Sequence, residues 1–299
     1  MTKNNILVSI LINCFNSEKY LKKCIDSCID QSYSNIEIII WDNCSTDNTY
    51  NIVNSYTDKR IKYFKSEKHT TLGEARIEAI KKIKGKFTAI LDSDDLAEKN
   101  RIELQLHYFY RNKNLALCGG WMKIINHKGK IKKYYKPNYT NKNLNESILW
   151  HNPIIHSSIM YKTNIARELK WYSSKLVNFQ DYGLTLKISF KYEIKILNQI
   201  IGSQRLHSKN TISNRALFMI QFKEYELLLR YARFFAIKDN KHLLRLNYHS
   251  FCVNMFKVKL FNLQKHITIK NILDLIHYIL THLFILKHNG IVRRFFKTY

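Results

Sequence analysis

Residues 87–91 (FTAIL) form a short apolar, β-prone run that stops at Asp92, and three carboxylates, Asp92, Asp94 and Asp95, then fall within four residues. An apolar run of this length bounded by polar signals suits a strand buried on both faces. Open α/β sheets gather their ligands at the carboxyl ends of such strands. Like charges this close repel unless a cation or a partner neutralises them. Hard oxygen donors suit Mg2+ or Mn2+, ions that often bridge to phosphates. The same residues also fit a solvated acidic loop that caps the next helix, so the context of the strand has to decide.

That context is an alternation of strand and helix through the first 95 residues. Residues 6–12 (ILVSILI), 36–41 (IEIIIW) and 61–64 (IKYF) read as three further strands. Between them, apolar residues recur at helical spacing over 18–31 and 71–83, and Ser45 or Thr46 is placed to cap a helix running to about residue 56. Gly85 is expected to close the helix that precedes the acidic strand. The pattern predicts an α/β fold: a mostly parallel sheet, with helices on both faces joined by right-handed crossovers. Polar groups follow three of the strands, at 13–16, 42–47 and 92–95, and parallel strands bring them to one sheet edge. Neither GxGxxG nor GxxxxGK[ST] is present, so neither a dinucleotide site nor an NTPase phosphate loop is indicated.

Charge divides the chain. Residues 1–100 carry 15 Lys/Arg against 14 Asp/Glu, and residues 101–299 carry 34 against 9, which accounts for nearly all of the net +26. A basic surface of this kind implies an anionic partner: nucleic acid, anionic lipid or a phosphorylated substrate. The six cysteines include no CxxC pair and no zinc-like spacing, and the N-terminus does not read as a secretory signal, so a reducing cytoplasmic setting is expected.

Beyond residue 100 the pattern loosens. A helix is expected over 100–111, a strand with a Gly119-Gly120 irregularity over 115–126, a loop or hairpin over 128–138, and a short helix over 143–150. Residues 152–161 read as a polar stretch entering a strand. Asp181 stands at or near a helix start, and two short strands lead to 204–207 (QRLH). From about residue 214 the chain is basic and helical, with amphipathic candidates at 216–237, 242–263 and 269–286. The last has a charge-free run shorter than the ~20 residues of a membrane span. Basic residues with aromatic neighbours at 230–235 and 293–296 suit the surface of an anionic membrane, and equally an ordinary helical subdomain with a solvated face.

Taken in order, VSILINCFN, LKKCIDSCIDQSY, IEIIIWDNCSTDNT, LGEAR, GKFTAILDSDDL, NPIIHSSIM, NFQDYGLTLKIS and RLH resemble the inverting family-2 glycosyltransferases with the GT-A fold, of the kind that build bacterial polysaccharide and lipopolysaccharide, over about residues 5–210. The resemblance implies a Rossmann-like GT-A domain at 1–212, with a nucleotide-binding half (1–100) and an acceptor half (101–212), followed by a basic helical region at 213–299. It places Asn13, Phe15, Asp42, Asn43, Arg76, Asp92 and Ser93 at the nucleotide sugar. It assigns Asp94, Asp95 and His207 to a Mn2+ or Mg2+ ion, and Asp181 to the general base. Two departures stand out: relatives often carry two consecutive acids where this chain has Asp42-Asn43, and a Glu-Asp pair where it has Gln180-Asp181.

The function so implied is transfer of a sugar, with inversion, from a nucleotide-sugar donor (UDP-linked) to a glycan or lipid-linked acceptor. It would take place in the cytoplasm, with peripheral association at the inner face of the membrane and no nucleic-acid partner. The competing reading is an inactive GT-A-like basic protein that binds membrane or nucleic acid. A nucleotidyltransferase is disfavoured because no Gly-rich loop bearing Lys or Arg follows the first strand.

Overall fold

The computed structural model describes residues 6–140, 144, 147, 148, 152–174 and 179–207. The tail helices and most of the helix expected over 143–150 lie outside the described residues. Strands β1 (Val8–Cys14), β2 (Ile36–Asp42), β3 (Ile61–Lys65) and β4 (Phe87–Ile90) run parallel in the order β3-β2-β1-β4. Helices α1 (Leu21–Ile29), α2 (Thr49–Asn54) and α3 (Leu72–Ile80) connect them. Side chains alternate across a strand, and two cores result. Val8, Ile10 and Ile12 of β1 pack with α1 residues Leu21, Cys24 and Cys28 on one face, whereas Leu11 joins Ala75 and Ala79 of α3 on the other.

The sheet continues through later elements. These are β5 (Leu96–Ala97), α4 (Arg101–Arg111), β6 (Leu115–Asn126), β7 (Ile131–Tyr135), a 3-10 turn (His156–Ser158), β8 (Met160–Lys162), α5 (Thr163–Glu168), α6 (Gln180–Ser189) and β9 (Glu193–Leu206). The full order is β3-β2-β1-β4-β8-β6-β9-β5, with β7 added to β6. Here the sheet is mixed: β8 is antiparallel to β4 and β6, β9 is parallel to β6, and β5 is antiparallel to β9. The two short strands expected before residue 204 are one 14-residue strand, whose register on β6 shifts around Gly120 and Trp121. That length carries β9 past the end of β4, which brings Arg205 and His207 to the acidic cluster.

Two local expectations fail for identifiable reasons. Helix α2 begins at Thr49 after Asn48, because Ser45 and Thr46 are engaged with the loop after β1 instead of capping. Helix α3 ends at Ile80, so Gly85 does not terminate it. Gly85 is instead required by close approach: a Cβ there would sit 2.5 Å from the Ser9 backbone nitrogen and 2.6 Å from Ser9 Oγ.

The same spot holds a buried ion pair. Glu37 of β2 accepts from Ser9 Oγ at 2.5 Å, from the backbone N–H of Lys84 at 2.7 Å and from Lys62 Nζ at 2.6 Å. It thus ties β1, β2, β3 and the approach to β4 together. Burial pushes its carboxyl up, but the Lys62, Ser9 and Lys84 hydrogen bonds outweigh that and hold it below the ordinary value. A group depressed in the folded state stabilises above its unfolded pKa, and the contribution is lost as pH falls through the folded value. Replacing Glu37 with Gln is therefore expected to cost about 2 kcal/mol at neutral pH. Urea titrations should show that deficit shrinking as the pH is lowered below about 4.

Candidate active site

A cavity of ≈ 840 Å³ opens at the carboxyl edge of β1 and β4, lined by the loop after β1 (Asn13, Phe15–Tyr20), Asp47, Leu72, Arg76, the Asp92–Asp95 turn and the end of β9 (Gln204, Arg205, His207). Its floor is a zipper between two loops. Ser45 Oγ accepts from Asn16 N–H at 2.9 Å and Asn16 Oδ1 accepts from Thr46 N–H at 2.9 Å. Thr49 Oγ1 accepts from Ser17 N–H at 2.9 Å, and Asp47 Oδ2 from Glu18 N–H at 3.0 Å. Asn16 (φ 48°) and Cys44 (φ 69°) adopt left-handed backbone, turning the chain sharply just beyond the two strands. At the mouth the Phe15 and His69 rings lie 4.1 Å apart, and Phe15 is 45% exposed.

The three acids diverge in environment. Asp92 Oδ1 lies 3.5 Å from both Arg76 Nη2 and His156 Nδ1. Burial works against its charge, yet His156 and Arg76 outweigh burial and hold Asp92 well below the usual carboxylate range. Asp94 Oδ2 accepts from His207 Nε2 at 2.8 Å. Burial and the neighbouring Asp92 nonetheless raise its pKa. Asp95 is buried, and its Oδ1 accepts from the Arg205 backbone N–H at 2.7 Å. Burial, Asp94 and Asp92 push its carboxyl well up. Arg205 completes the link: its Nε donates to the Asp94 carbonyl at 2.8 Å, and its guanidinium stacks 4.6 Å over the Tyr20 ring. Tyr20 faces His207 on the cavity side, with ring centroids 5.1 Å apart. Ser93 Oγ is 2.9 Å from Ser17 Oγ.

Arg76 reaches the cavity from α3, whose start is fixed by a capping box between Thr71 and Glu74. Its Nη1 donates to Gln180 Oε1 at 2.5 Å, and its Nη2 lies 3.1 Å from His156 Nδ1. Gln180 opens α6, and Asp181 follows it in the first turn, half-buried. Burial pushes the Tyr172 hydroxyl up to about 12, with Asp181 and Asp92 both adding negative charge nearby. Asp181 and Asp92 are thus within electrostatic reach of one side chain, although Asp181 is not part of the cavity lining.

A sequence model of glycosyl transferase family 2 matches residues 9–170. The chain belongs to this family. An uncharacterized glycosyltransferase of Methanocaldococcus jannaschii is 31% identical over 261 residues, covering 85% of each chain. The chondroitin synthase of Escherichia coli is 29% identical over 209 residues, 69% of this chain but 30% of that one, so the resemblance spans under a third of the larger protein. Among solved structures, Staphylococcus aureus TarS 1–349 in complex with UDP-GlcNAc superposes with a TM-score of 0.71 at 19% identity, covering 91% of this chain and 79% of that one. The fold is therefore GT-A, and the protein is a glycosyltransferase.

Within this family-2 glycosyltransferase, Asn13, Phe15, Arg76, Asp92, Ser93, Asp94, Asp95 and His207 all line one cavity. Asp42 and Asn43 lie outside that lining. Asp42 is fully buried and accepts from Tyr63 OH at 2.5 Å and Ser45 N–H at 2.7 Å, and Asn43 clamps Thr70 through both ends of its amide. Four residues central to the site carried no assigned role in the sequence: His156, Tyr172, Tyr20 and Arg205. Gln180 was noted there only as a departure from the family pair. These residues converge from distant segments, and His156 and Arg205 stood within the family-like stretches NPIIHSSIM and RLH without a role of their own.

The contrast between Asp95 and its neighbours is testable. Asp95→Ala removes the acceptor of a buried N–H and is expected to cost about 1–3 kcal/mol. Asp95→Asn keeps the acceptor, relieves the like-charge crowd and should cost less than half as much. Thermal melting of the two variants checks the order.

Proposed function

We propose that this glycosyltransferase transfers a sugar, with inversion, from a UDP-linked donor to a glycan or lipid-linked acceptor. The observation that carries the reading is the Asp94–His207 pair on the cavity wall, beside the Arg76–Asp92 ion pair at the end of β4. Solved TarS complexes hold UDP and UDP-GlcNAc, and relatives are named chondroitin synthase and hyaluronan synthase, which supports a nucleotide-sugar donor and a saccharide acceptor.

The donor set fits a divalent cation. Asp94 Oδ2 and His207 Nε2 lie 2.8 Å apart on the cavity wall, and burial and the neighbouring Asp92 raise the pKa of Asp94. Among the described residues no three His, Cys, Asp or Glu side chains converge as a closed site. One or two carboxylates with the remaining positions left to phosphate and water is the arrangement Mg2+ favours, and Asp94 is such a carboxylate. Asp94 and His207 would hold the ion, and Asp95 would brace the turn behind them. When bound, it neutralises charge developing on the diphosphate leaving group.

The chain's own residues do the rest. Phe15 and His69 offer an aromatic face to the base, and stacking of this kind is worth about 1–3 kcal/mol. Asn13 Oδ1 is buried without a partner among the described residues, an acceptor suited to a base N–H. Asp42 and Asn43 support that pocket from behind by fixing the end of β2. Arg76, Asp92 and Ser93 orient the sugar diphosphate. Asp181 takes the proton from the acceptor hydroxyl as its oxygen attacks the anomeric carbon, and the bond to the diphosphate breaks on the opposite face, leaving with its electron pair. Residues 1–100 would serve the donor and 101–212 the acceptor. The basic region 213–299 would rest on the anionic inner face of the cytoplasmic membrane. No described helix is long and apolar enough to cross a membrane.

Nucleotide release from a panel of UDP-sugars with Mn2+ or Mg2+ tests this reading. Asp94→Ala and Asp181→Asn are each expected to lower kcat by about 10³-fold with the fold intact. Chelator should abolish turnover, and added Mn2+ restore it. Full activity of both variants would overturn the assignment.

A further inference from the structure

The donor carboxylate and the helix that carries the base belong to different parts of the chain, and a buried brace spans them. Asp92 closes β4, whereas Gln180 and Asp181 open α6. Arg76 is 6% exposed and contacts both sides: Nη1 meets Gln180 Oε1 at 2.5 Å, and Nη2 lies 3.5 Å from Asp92 Oδ1. His156, 8% exposed, locks that guanidinium in place. Its Nδ1 lies 3.1 Å from Arg76 Nη2, and its Nε2 lies 3.2 Å from the Tyr172 hydroxyl. The Tyr172 ring in turn receives the guanidinium at 5.4 Å. Arg76 is thus gripped by carboxylate, imidazole, amide and phenol ring.

We infer that His156 and Gln180 are positioning residues, which act through Arg76 to fix the distance between the donor-side carboxylate Asp92 and the base-bearing first turn of α6. The physical reason is the geometry of the guanidinium. Its planar fork holds several partners at set angles, which a flexible ammonium cannot do. A misplacement of about 1 Å between reacting groups costs about 10²-fold in rate. A brace that fixes such a distance therefore affects turnover more than donor binding. His156 touches neither the Asp94–His207 pair nor, among the described contacts, Asp181. Its side-chain partners are Arg76, Asp92 and Tyr172, and Arg76 is the one that also holds Gln180.

This rests on the proposed assignment of Asp181 as base, so the test has two arms. The first needs no activity. Hydrogen exchange in the α6 peptide is measured by mass spectrometry for the full chain and for Asp92→Ala, His156→Ala and His156→Asn. Asp92 and Gln180 share the Arg76 guanidinium, so Asp92→Ala and His156→Ala should each speed exchange across α6 by at least about tenfold, with α4 unchanged as the control. His156→Asn, whose amide offers an acceptor near the Nδ1 position, should restore protection. Unchanged α6 exchange, or an equal rise in α4, would overturn the brace. The second arm follows kcat and UDP affinity. His156→Ala should lower kcat by about 10²-fold while the UDP dissociation constant stays within threefold, and His156→Asn should recover most of the loss. A loss confined to UDP affinity, or one that tracks melting temperature across the variants, would also overturn it. A wild-type chain that transfers no sugar while the exchange result holds would count against Asp181 as base and leave the brace standing.

Discussion

Three carboxylates within four residues are the constraint that the rest of the site answers. Unneutralised, Asp92, Asp94 and Asp95 would repel one another in a half-buried turn. Each is answered from a different direction. Arg76 and His156 face Asp92, His207 faces Asp94, and the Arg205 backbone amide faces Asp95. The balance is incomplete: Asp92 stays easily ionised, whereas Asp94 and Asp95 are held above their ordinary range. Crowding of this kind costs stability in the folded state, and on the proposed reading a cation at Asp94 and His207 would relieve it. Functional sites commonly carry such a stability cost.

The long strand β9 follows from the same requirement. Arg76 of α3 answers Asp92 from within the β1–β4 unit, whereas Asp94 and Asp95 take their partners from the end of β9 outside it. Strand β9 pairs with β6 along its length and with β5 just beyond the acidic turn, so its end arrives beside the acids by sheet register. Arg205 then serves twice, through its backbone amide to Asp95 and its side chain to the Asp94 carbonyl. The Tyr20 ring contacts both that guanidinium and His207, and so ties the loop after β1 to the end of the same strand.

What the sequence disclosed follows the range of each interaction. Strands β1, β2 and β4 were legible because burial on both faces leaves continuous apolar runs, the half-buried edge strand β3 by its β-prone residues, and β6 was read to its observed ends because it is long and apolar. The acids were legible as a cluster, and their placement at one edge followed from parallel strands. Helix α2 was misjudged because Ser45 and Thr46, good caps by type, are spent on tertiary hydrogen bonds. The single strand β9 was split because polar residues 198–199 interrupt its apolar pattern at a register shift. The roles of Tyr20, Tyr172 and His156 were not legible from local pattern. Each is an ordinary aromatic or polar residue in its own segment, and only a neighbour about 16 to 187 positions away gives it a function.

The neutral side chain at Gln180 is consistent with this economy of charge. Arg76 is nearly buried, and its one positive charge is close to Asp92 at 3.5 Å. A carboxylate at 180 would compete for the same guanidinium and add a fourth acid near the turn. An amide oxygen accepts the Arg76 N–H at 2.5 Å without contributing a formal charge. The attraction between Arg76 and Asp92 is then left undivided, which helps keep Asp92 ionised beside two acids that are not easily ionised. On this view the Gln-Asp pair separates two tasks on adjacent positions of α6: Gln180 holds the helix to the donor side, and Asp181 carries the charge.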